Sequence, residues 1–544
     1  MFQKIKIFLE KHGWIIPLGL FALFMALTLP GISWGAPSVW HPDEVVVRSI
    51  KALHGEWKFS EINFDYPDLP QYAMFFLGKI LLSFGKADGD ILVASRVLSA
   101  ALAGFTIVLT YNIARRIGGS IFVAGLSGLL LISVSEMAHN GRFAHNDTYL
   151  ILFTTISVLC LVTYINNHNK VWLYASFITV GMAASSKYIG GSLALTPLVV
   201  YLTEQRQNLR KNWFSIAETL FISAVITFLG FGIGTPKALF WMTYYFKRVM
   251  PTLQFQMNYG HQADSIRGII GQYAVMANGL GLALVLLFGI AFVWTAWKVV
   301  KAYRAKSISQ EQQTKSFAVI VLAILVLDLP MMISYNYQLR YFLTLMPFLA
   351  VLTAFFVDQI YQQAINTKKR MYPFMVGITV SAIIVYSIAR IVSLMLLVMN
   401  DARIPASDYL RILPLETSLE HTYYPPSIPP EHFAREHNYP IYFRKVQDEP
   451  LPVSKKYEFN IGEVGLNKRD TNYLIVDSFT SDKFNNPYTC ADMQVECDFF
   501  KQLETGQSEH YKLLKEFKYT LPPYLPQIRF EFINPTIRIY ERIQ

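Results

Sequence analysis

The sequence predicts a polytopic α-helical membrane protein of about eleven transmembrane helices, followed by a small mixed α/β domain outside the cytoplasm. Three observations carry that reading. Of the 544 residues, 53% are hydrophobic and only 16% charged, with a mean hydropathy of +0.31, too apolar for a soluble chain of this size. Apolar runs of the roughly 17–25 residues that a bilayer requires recur through the first 400 positions and then stop. Lys and Arg, finally, gather in alternate loops.

The spans fall at 14–30, 91–114, 120–136, 147–165, 171–186, 189–203, 213–234, 273–297, 316–334, 341–358 and 372–398. The first follows Lys4, Lys6 and Lys11 as a signal peptide would, but no small-residue cleavage pattern precedes Trp34, so it reads as a retained span. With the N-terminus in the cytoplasm, the basic clusters share one side: Arg115 with Arg116, Lys170, Arg206 with Arg210 and Lys211, the group from Lys298 to Lys315, and Lys368 with Lys369 and Arg370. An odd number of spans then places residues 401–544 outside, behind a membrane domain over 1–400 with a long first external loop at 31–90. Within that loop, 71–84 suits an interfacial helix better than a span, because Lys79 and nearby charges interrupt it. The segment 171–203 is a hairpin broken at Lys187.

The tail changes character at Pro425, Pro426, Pro429 and Pro430. β-rich runs follow at Tyr473–Val476, Ile528–Phe532 and Thr536–Tyr540, and Pro405–Leu413 has helical spacing and a face for the membrane surface. Cys490 and Cys497 lie close enough in an extracytoplasmic tail to form a disulfide, while Cys160 lies in an apolar run.

The net charge of +10 is accounted for by cytoplasmic loops, and no basic stripe with interleaved aromatics points to nucleic acid. No Walker or Rossmann signature points to a nucleotide, and no metal-ligand spacing marks a metal site. His261, beside Lys237, Lys247, Arg248 and Asp264 in the loop 235–272, is the one candidate for a divalent metal, a use without further support because a lone His serves structure more often.

Polar chemistry concentrates on the external side. The first loop carries Trp40, His41, Pro42, Asp43 and Glu44, with Arg48 a turn further on. Pro followed by two acids suits a helix start, where exposed N–H groups favour carboxylates, but a carboxylate held rigidly beside the membrane also suits a general base. The short second loop runs from His139 to Asp147 and includes His145; Asp147 either caps the span it opens or faces a wet cavity. Arg96, Lys187 with Tyr188, and Arg340 with Tyr341 stand at the same level. An isolated cation there snorkels to lipid headgroups, whereas three cations beside two acidic loops suit a phosphate at a membrane interface.

In their order and spacing, "HPDE" in the first loop, "ASRVLSALAGFTIVLTYNIARRIGG", "GRFAHNDTYLILF", "SSKYIGG" and "LRYFLTLMPFLAV" resemble the membrane-embedded GT-C-fold glycosyltransferases. The branch they are most similar to holds the protein O-mannosyltransferases and the ArnT-type aminoarabinose transferases. The resemblance spans roughly residues 14–400 and extends loosely to "NPTIRIYER" near the end. It implies an inverting transfer of a sugar from a polyprenyl-phosphate donor to an extracytoplasmic protein, lipid or polysaccharide acceptor, with membrane lipid as the surroundings and no nucleotide. By position it implies Asp43 as the acid that activates the acceptor hydroxyl, Glu44 as its motif partner and Asp147 as the second acidic position. Arg96, Lys187 and Arg340 take the place of donor-phosphate ligands, and His145, Tyr188, Tyr341 and His261 stand as further substrate-binding candidates. The paired-tryptophan "WWD" signature of oligosaccharyltransferases is missing, and the chain leaves no room for a β-trefoil insert. A transporter would place its polar residues at mid-bilayer and show internal repeats, which this sequence does not; a scaffold with degenerate motifs is the other alternative.

Overall fold

A computed structural model of the chain describes residues 12–59, 66–207, 210–258, 269–305, 312–334, 338–367, 371–439 and 462–543. The basic residues Lys4, Lys6, Lys11, Lys306, Lys368, Lys369 and Arg370, and the loop residues His261 and Asp264, lie outside the described residues. The contacts divide the chain into two compact units, one of Met1–Ile32 with Asp43–Val392 and one of Ser33–Pro42 with Ser393–Gln544. Ten residues of the first loop, Ser33–Pro42, ending one position before Asp43, thus group with the tail.

The first unit is helical and embedded in a membrane. Among the described residues, seven helices are long and apolar enough to cross one: α4 (Asp88–Arg116), α7 (Asp147–Asn167), α10 (Trp213–Gly234), α14 (Leu282–Arg304), α15 (Gln312–Ile333), α16 (Met346–Asn366) extended at its start by a 3-10 turn at Leu339–Leu345, and α17 (Met371–Met399). A bent pair, α5 (Ile121–Ile132) and α6 (Ser135–Gly141), meeting at 64°, is long and apolar enough only when taken together, as a broken span or a re-entrant loop. The other three expected spans are shorter: α1 (Ile15–Thr28), α8 (Lys170–Ser186), and a 3-10 turn Tyr188–Ala194 leading into α9 (Leu195–Gln205). Within the first loop, α2 (Val46–Leu53) precedes α3 (Leu69–Ser83), on which Phe76 and Ile80 are exposed.

Two features of helix packing set the height of the polar residues. Where α8 crosses α10, a Cβ on Gly181 would stand 2.1 Å from the Thr227 carbonyl oxygen and one on Gly230 2.3 Å from that of Ile178. The crossing is therefore closed to any larger side chain, as small residues permit in membrane packing. Immediately past this contact, Lys187 adopts an extended backbone (φ −156°, ψ 134°) and ends α8, so its side chain leaves the helix where the chain turns.

The second unit is a five-stranded mixed sheet in the order β2-β1-β3-β5-β4, from β1 (Ser418–His421), β2 (Arg435–Asn438), β3 (Tyr473–Asp477), β4 (Tyr511–Phe517) and β5 (Ile537–Arg542). β1 runs parallel to β2 and β3, whereas β5 runs antiparallel to β3 and β4. All five residues of β3 are buried, so both faces are covered. Tyr473 and Ile475 point into one core with Ile537, Ile539, Ala406 and Leu410, and Leu474 and Val476 into the other with Phe484, Phe499, Phe500 and Leu503. The segment expected to lean on the membrane surface is α18 (Arg403–Leu410), and its apolar face packs on this sheet instead. Ile528–Phe532 forms no strand: Pro526 precedes it, and Phe532 and Asn534 take left-handed φ values of 62° and 53° that turn the chain out of extended geometry. Cys490 and Cys497 are joined in a disulfide between α21 (Pro487–Asp492) and α22 (Gln494–Thr505), and Cys160 is free and buried.

Candidate active site

The acidic pair at the end of the first loop divides into two environments. Glu44 is turned inward, where both its oxygens accept from Arg96 of α4 at 2.7 Å, from Nε and Nη2, with the two side chains fully buried. One of the same oxygens accepts from the Ala144 backbone N–H at 3.0 Å, and Val45 N–H donates to the Ala144 carbonyl. Arg96 Nη1 donates to the Ile32 carbonyl at 3.1 Å. This bidentate pair thus pins the first loop against the second. Neither acid caps α2, whose first turn has no acidic residue and whose N-cap is Val45. The structure brings Arg96 to Glu44 rather than to the other two cations, because a guanidinium buried in α4 needs a carboxylate partner of its own.

Asp43 points the other way and remains 27% exposed at its side chain, with an Oδ 2.5 Å from Arg340 Nη1. Burial alone would raise the Asp43 pKa, but Arg340, His145 and Lys187 outweigh it and hold the carboxyl below its ordinary range. Asp147, the first residue of α7, is buried to 1%; Lys187 donates to one oxygen at 2.8 Å, and His145 Nδ1 stands 2.8 Å from the other without hydrogen-bond alignment. Its place at a helix N-terminus adds a favourable field for the negative charge.

Aromatic rings close the cluster. Lys187 Nζ lies 4.5 Å from the Tyr341 ring centroid and Arg340 Cζ 5.6 Å from the same centroid, within cation–π range. Tyr66 sets its ring 6.0 Å from that of His145, and burial, assisted by Asp43, raises its phenol so that it stays protonated at neutral pH. Among the described residues, His145 Nε2, both side-chain polar atoms of Asn146 and Arg340 Nε are buried without a hydrogen-bond partner. Buried polar atoms of that kind are rare in a settled core and common where a polar substrate binds.

Of the residues singled out in the sequence, Asp43, Asp147, His145, Lys187, Arg340 and Tyr341 meet in one place. Glu44 and Arg96 stand apart as a pair. Tyr188 turns aside to share a hydrogen bond with Tyr245, 2.8 Å between the hydroxyl oxygens, and His261 lies outside the described residues. Sequence reasoning missed Tyr66 and the neighbouring ion pair of Asp68 with Lys237 at 2.9 Å. The N-cap position of Asp68 before Leu69 and Pro70 was the one available signal. Burial raises Asp68 to about 6 against the pull of Lys237. Among the described residues no group of three or more His, Cys, Asp or Glu is arranged to hold a metal ion.

Residues 68–250 match the family model described as dolichyl-phosphate-mannose-protein mannosyltransferase, a stretch that contains Asp147 and Lys187. The undecaprenyl phosphate-alpha-4-amino-4-deoxy-L-arabinose arabinosyl transferase 1 of Pseudomonas fluorescens is 27% identical over 176 residues, 31% of this chain and 29% of that one. Transferase 2 of the same species is 24% identical over 237 residues, 42% of this chain and 38% of that one.

The chain is a relative of the protein O-mannosyltransferases and the aminoarabinose transferases.

The similarity spans less than two fifths of those curated relatives' length. The GT-C fold itself extends further. The archaeal oligosaccharyltransferase AglB from Archaeoglobus fulgidus, in complex with an inhibitory peptide and a dolichol-phosphate, superposes over 98% of this chain and 89% of that one, with a TM-score of 0.52 at 11% identity. In this GT-C chain helix ends supply Asp147, Lys187 and Arg340, and the first loop supplies Asp43.

Proposed function

We propose that the protein is an integral-membrane glycosyltransferase that moves a hexosyl or pentosyl group from a polyprenyl-phosphate donor to a hydroxyl of an extracytoplasmic protein, lipid or polysaccharide. In this reading the N-terminus is cytoplasmic, and the cluster around Asp43 and the C-terminal unit face the other side. The observation that carries it is the pairing of two carboxylates of unequal exposure with two cations, Asp43 at 27% with Arg340 and Asp147 at 1% with Lys187. A lipid phosphate needs fixed cations to become a good leaving group, and an incoming hydroxyl needs one reachable base. The cluster supplies both. The family match and the carriers named for the relatives support the same donor class.

The reaction then runs in one inverting displacement. The acceptor oxygen attacks the anomeric carbon from the face opposite the phosphate, the carbon–oxygen bond to phosphate breaks with its electron pair, and the hydroxyl proton passes to Asp43. Lys187 and Arg340 meet the charge that grows on the phosphate. Asp147, too buried to reach an acceptor, fixes Lys187 and His145. Glu44 and Arg96 hold the first loop so that Asp43 stays in place.

The pairing of base and cation also gives the order of events. While Arg340 belongs to Asp43, the carboxylate is a weak base; a donor phosphate that draws Arg340 toward itself raises the Asp43 pKa when a base is needed. Purified chain reconstituted with polyprenyl-phosphate sugars tests this. Asp43→Asn is expected to lower turnover by about 10²-fold or more with folding intact. Unchanged turnover would remove the base assignment.

A further inference from the structure

After α10 the chain forms α11 (Lys237–Phe240) and α12 (Met242–Asn258), and among the described side chains of α12 one narrow stripe is buried. Tyr245 and Val249, spaced four residues apart, are buried with Ala238, and Leu253, Phe231 and Tyr188 pack against this cluster. The opposite surface is apolar but uncovered: Phe240 is 77% exposed, Trp241 50%, Tyr244 50%, Phe246 42% and Met250 56%. Among these rings stand the exposed Lys247 and Arg248, the latter with its guanidinium carbon 5.4 Å from the centroid of the Tyr244 ring. Residues 237–258 contain no Asp or Glu.

Such a surface suits neither water nor the bilayer centre. Five large apolar side chains in water would make an aggregation-prone patch. A crossing is excluded by the helix's 17 residues, its two cations and Pro251 within it. Aromatic rings with cations between them match the headgroup level, where rings enter the acyl boundary and Lys and Arg reach phosphates.

We propose that α11 and α12 form a docking surface for the headgroup layer of acidic phospholipids, with Phe240, Trp241, Phe246 and Met250 entering the acyl boundary and Lys247 and Arg248 binding lipid phosphates. Lys247 and Arg248, with no acid in the segment, give the surface its charge complementarity to an anionic leaflet. The segment is tied to the candidate site at two points: Lys237 to Asp68, and Tyr245 to Tyr188 beside Lys187. The lipid surface thereby sets the height of the loop that carries Lys187. The proposal does not depend on the transferase reading.

The test is the membrane depth of a nitroxide on Phe246→Cys, in full-length protein reconstituted into nanodiscs of phosphatidylcholine alone or with phosphatidylglycerol. Accessibility to oxygen and to a water-soluble nickel chelate reports the depth. In phosphatidylglycerol discs the label is expected at the headgroup–acyl boundary, with a shift toward water in pure phosphatidylcholine and in the Lys247→Glu, Arg248→Glu double variant. A label that reads as fully aqueous in phosphatidylglycerol discs overturns the proposal. So does a depth that responds neither to phosphatidylglycerol nor to charge reversal.

Discussion

Replacing Arg96 by Met separates two roles that a buried arginine near an acidic loop can hold. In the structure its guanidinium makes two 2.7 Å bonds to Glu44, and both side chains have no exposed area. Removing the cation leaves a carboxylate in a low-dielectric interior where, among the described residues, the Ala144 backbone N–H still donates to it. Breaking one side of such a pair costs about 3–5 kcal/mol, whereas replacing both partners by apolar groups of similar size costs far less. Arg96→Met is therefore expected to lower the thermal unfolding midpoint in detergent sharply, and Glu44→Leu with Arg96→Met to recover most of the loss. Catalysis should fall through KM and kcat together as the first loop loosens. If Arg96→Met instead left the midpoint unchanged and abolished donor binding alone, Arg96 would be a phosphate ligand and the clamp argument would fail.

Other perturbations have equally definite outcomes. Lys187→Met should weaken binding of a polyprenyl phosphate by titration in detergent, and Arg340→Met should in addition move the acid limb of kcat/KM to higher pH, because Asp43 then keeps its burial without its main cation. In the C-terminal unit, Glu496 is buried and raised to about 7, against hydrogen bonds from Tyr439 and Gly462 that pull the other way. A carboxyl raised on folding contributes stability that is complete below its unfolded value of 4.5 and is lost as pH rises through about 7. Glu496→Gln should flatten that loss, on the order of 3 kcal/mol, in thermal scans between those two limits. Cys490→Ser with Cys497→Ser should cost about 2 kcal/mol of unfolding free energy, the effect of a short closed loop, and dithiothreitol should reproduce it.

Much of the membrane unit was legible because hydrophobic length is a one-dimensional signal: each apolar run expected from the sequence coincides with a helix or a helix pair. The bend between Ile132 and Ser135 was not, since Ser133 and Val134 carry no Pro or Gly to announce it. In the tail, β3 and β5 were readable as runs rich in β-branched and aromatic residues. β1 and β2 were not: at four residues each, with sequences SLEH and REHN, they owe their place to pairing, β1 with β3 and β2 with β1, rather than to composition.

The site was legible as a set of positions and not as a set of partners. Asp43 and Asp147 stand at loop ends, and Lys187 and Arg340 where a helix breaks or begins, all of which a sequence displays. Their pairing spans 297 residues in one case and 40 in the other, and no local pattern encodes it. Arg96 illustrates the cost. One cation in an apolar helix reads alike whether it awaits a phosphate or already holds a carboxylate, and only the inward turn of Glu44 decides. Tyr66 left no mark among the chain's 31 tyrosines, because its role comes from packing beside His145.

The central claim, that Asp43 serves sugar transfer from a lipid phosphate on the extracytoplasmic side, meets its most direct test in cells that express either the wild-type chain or Asp43→Asn at equal levels. Mass spectrometry of their extracytoplasmic proteins, lipids and polysaccharides should show one sugar present with the wild type and absent with the variant, while the corresponding polyprenyl-phosphate sugar accumulates. Identical glycan profiles in the two strains, with the donor pool unchanged, would contradict it.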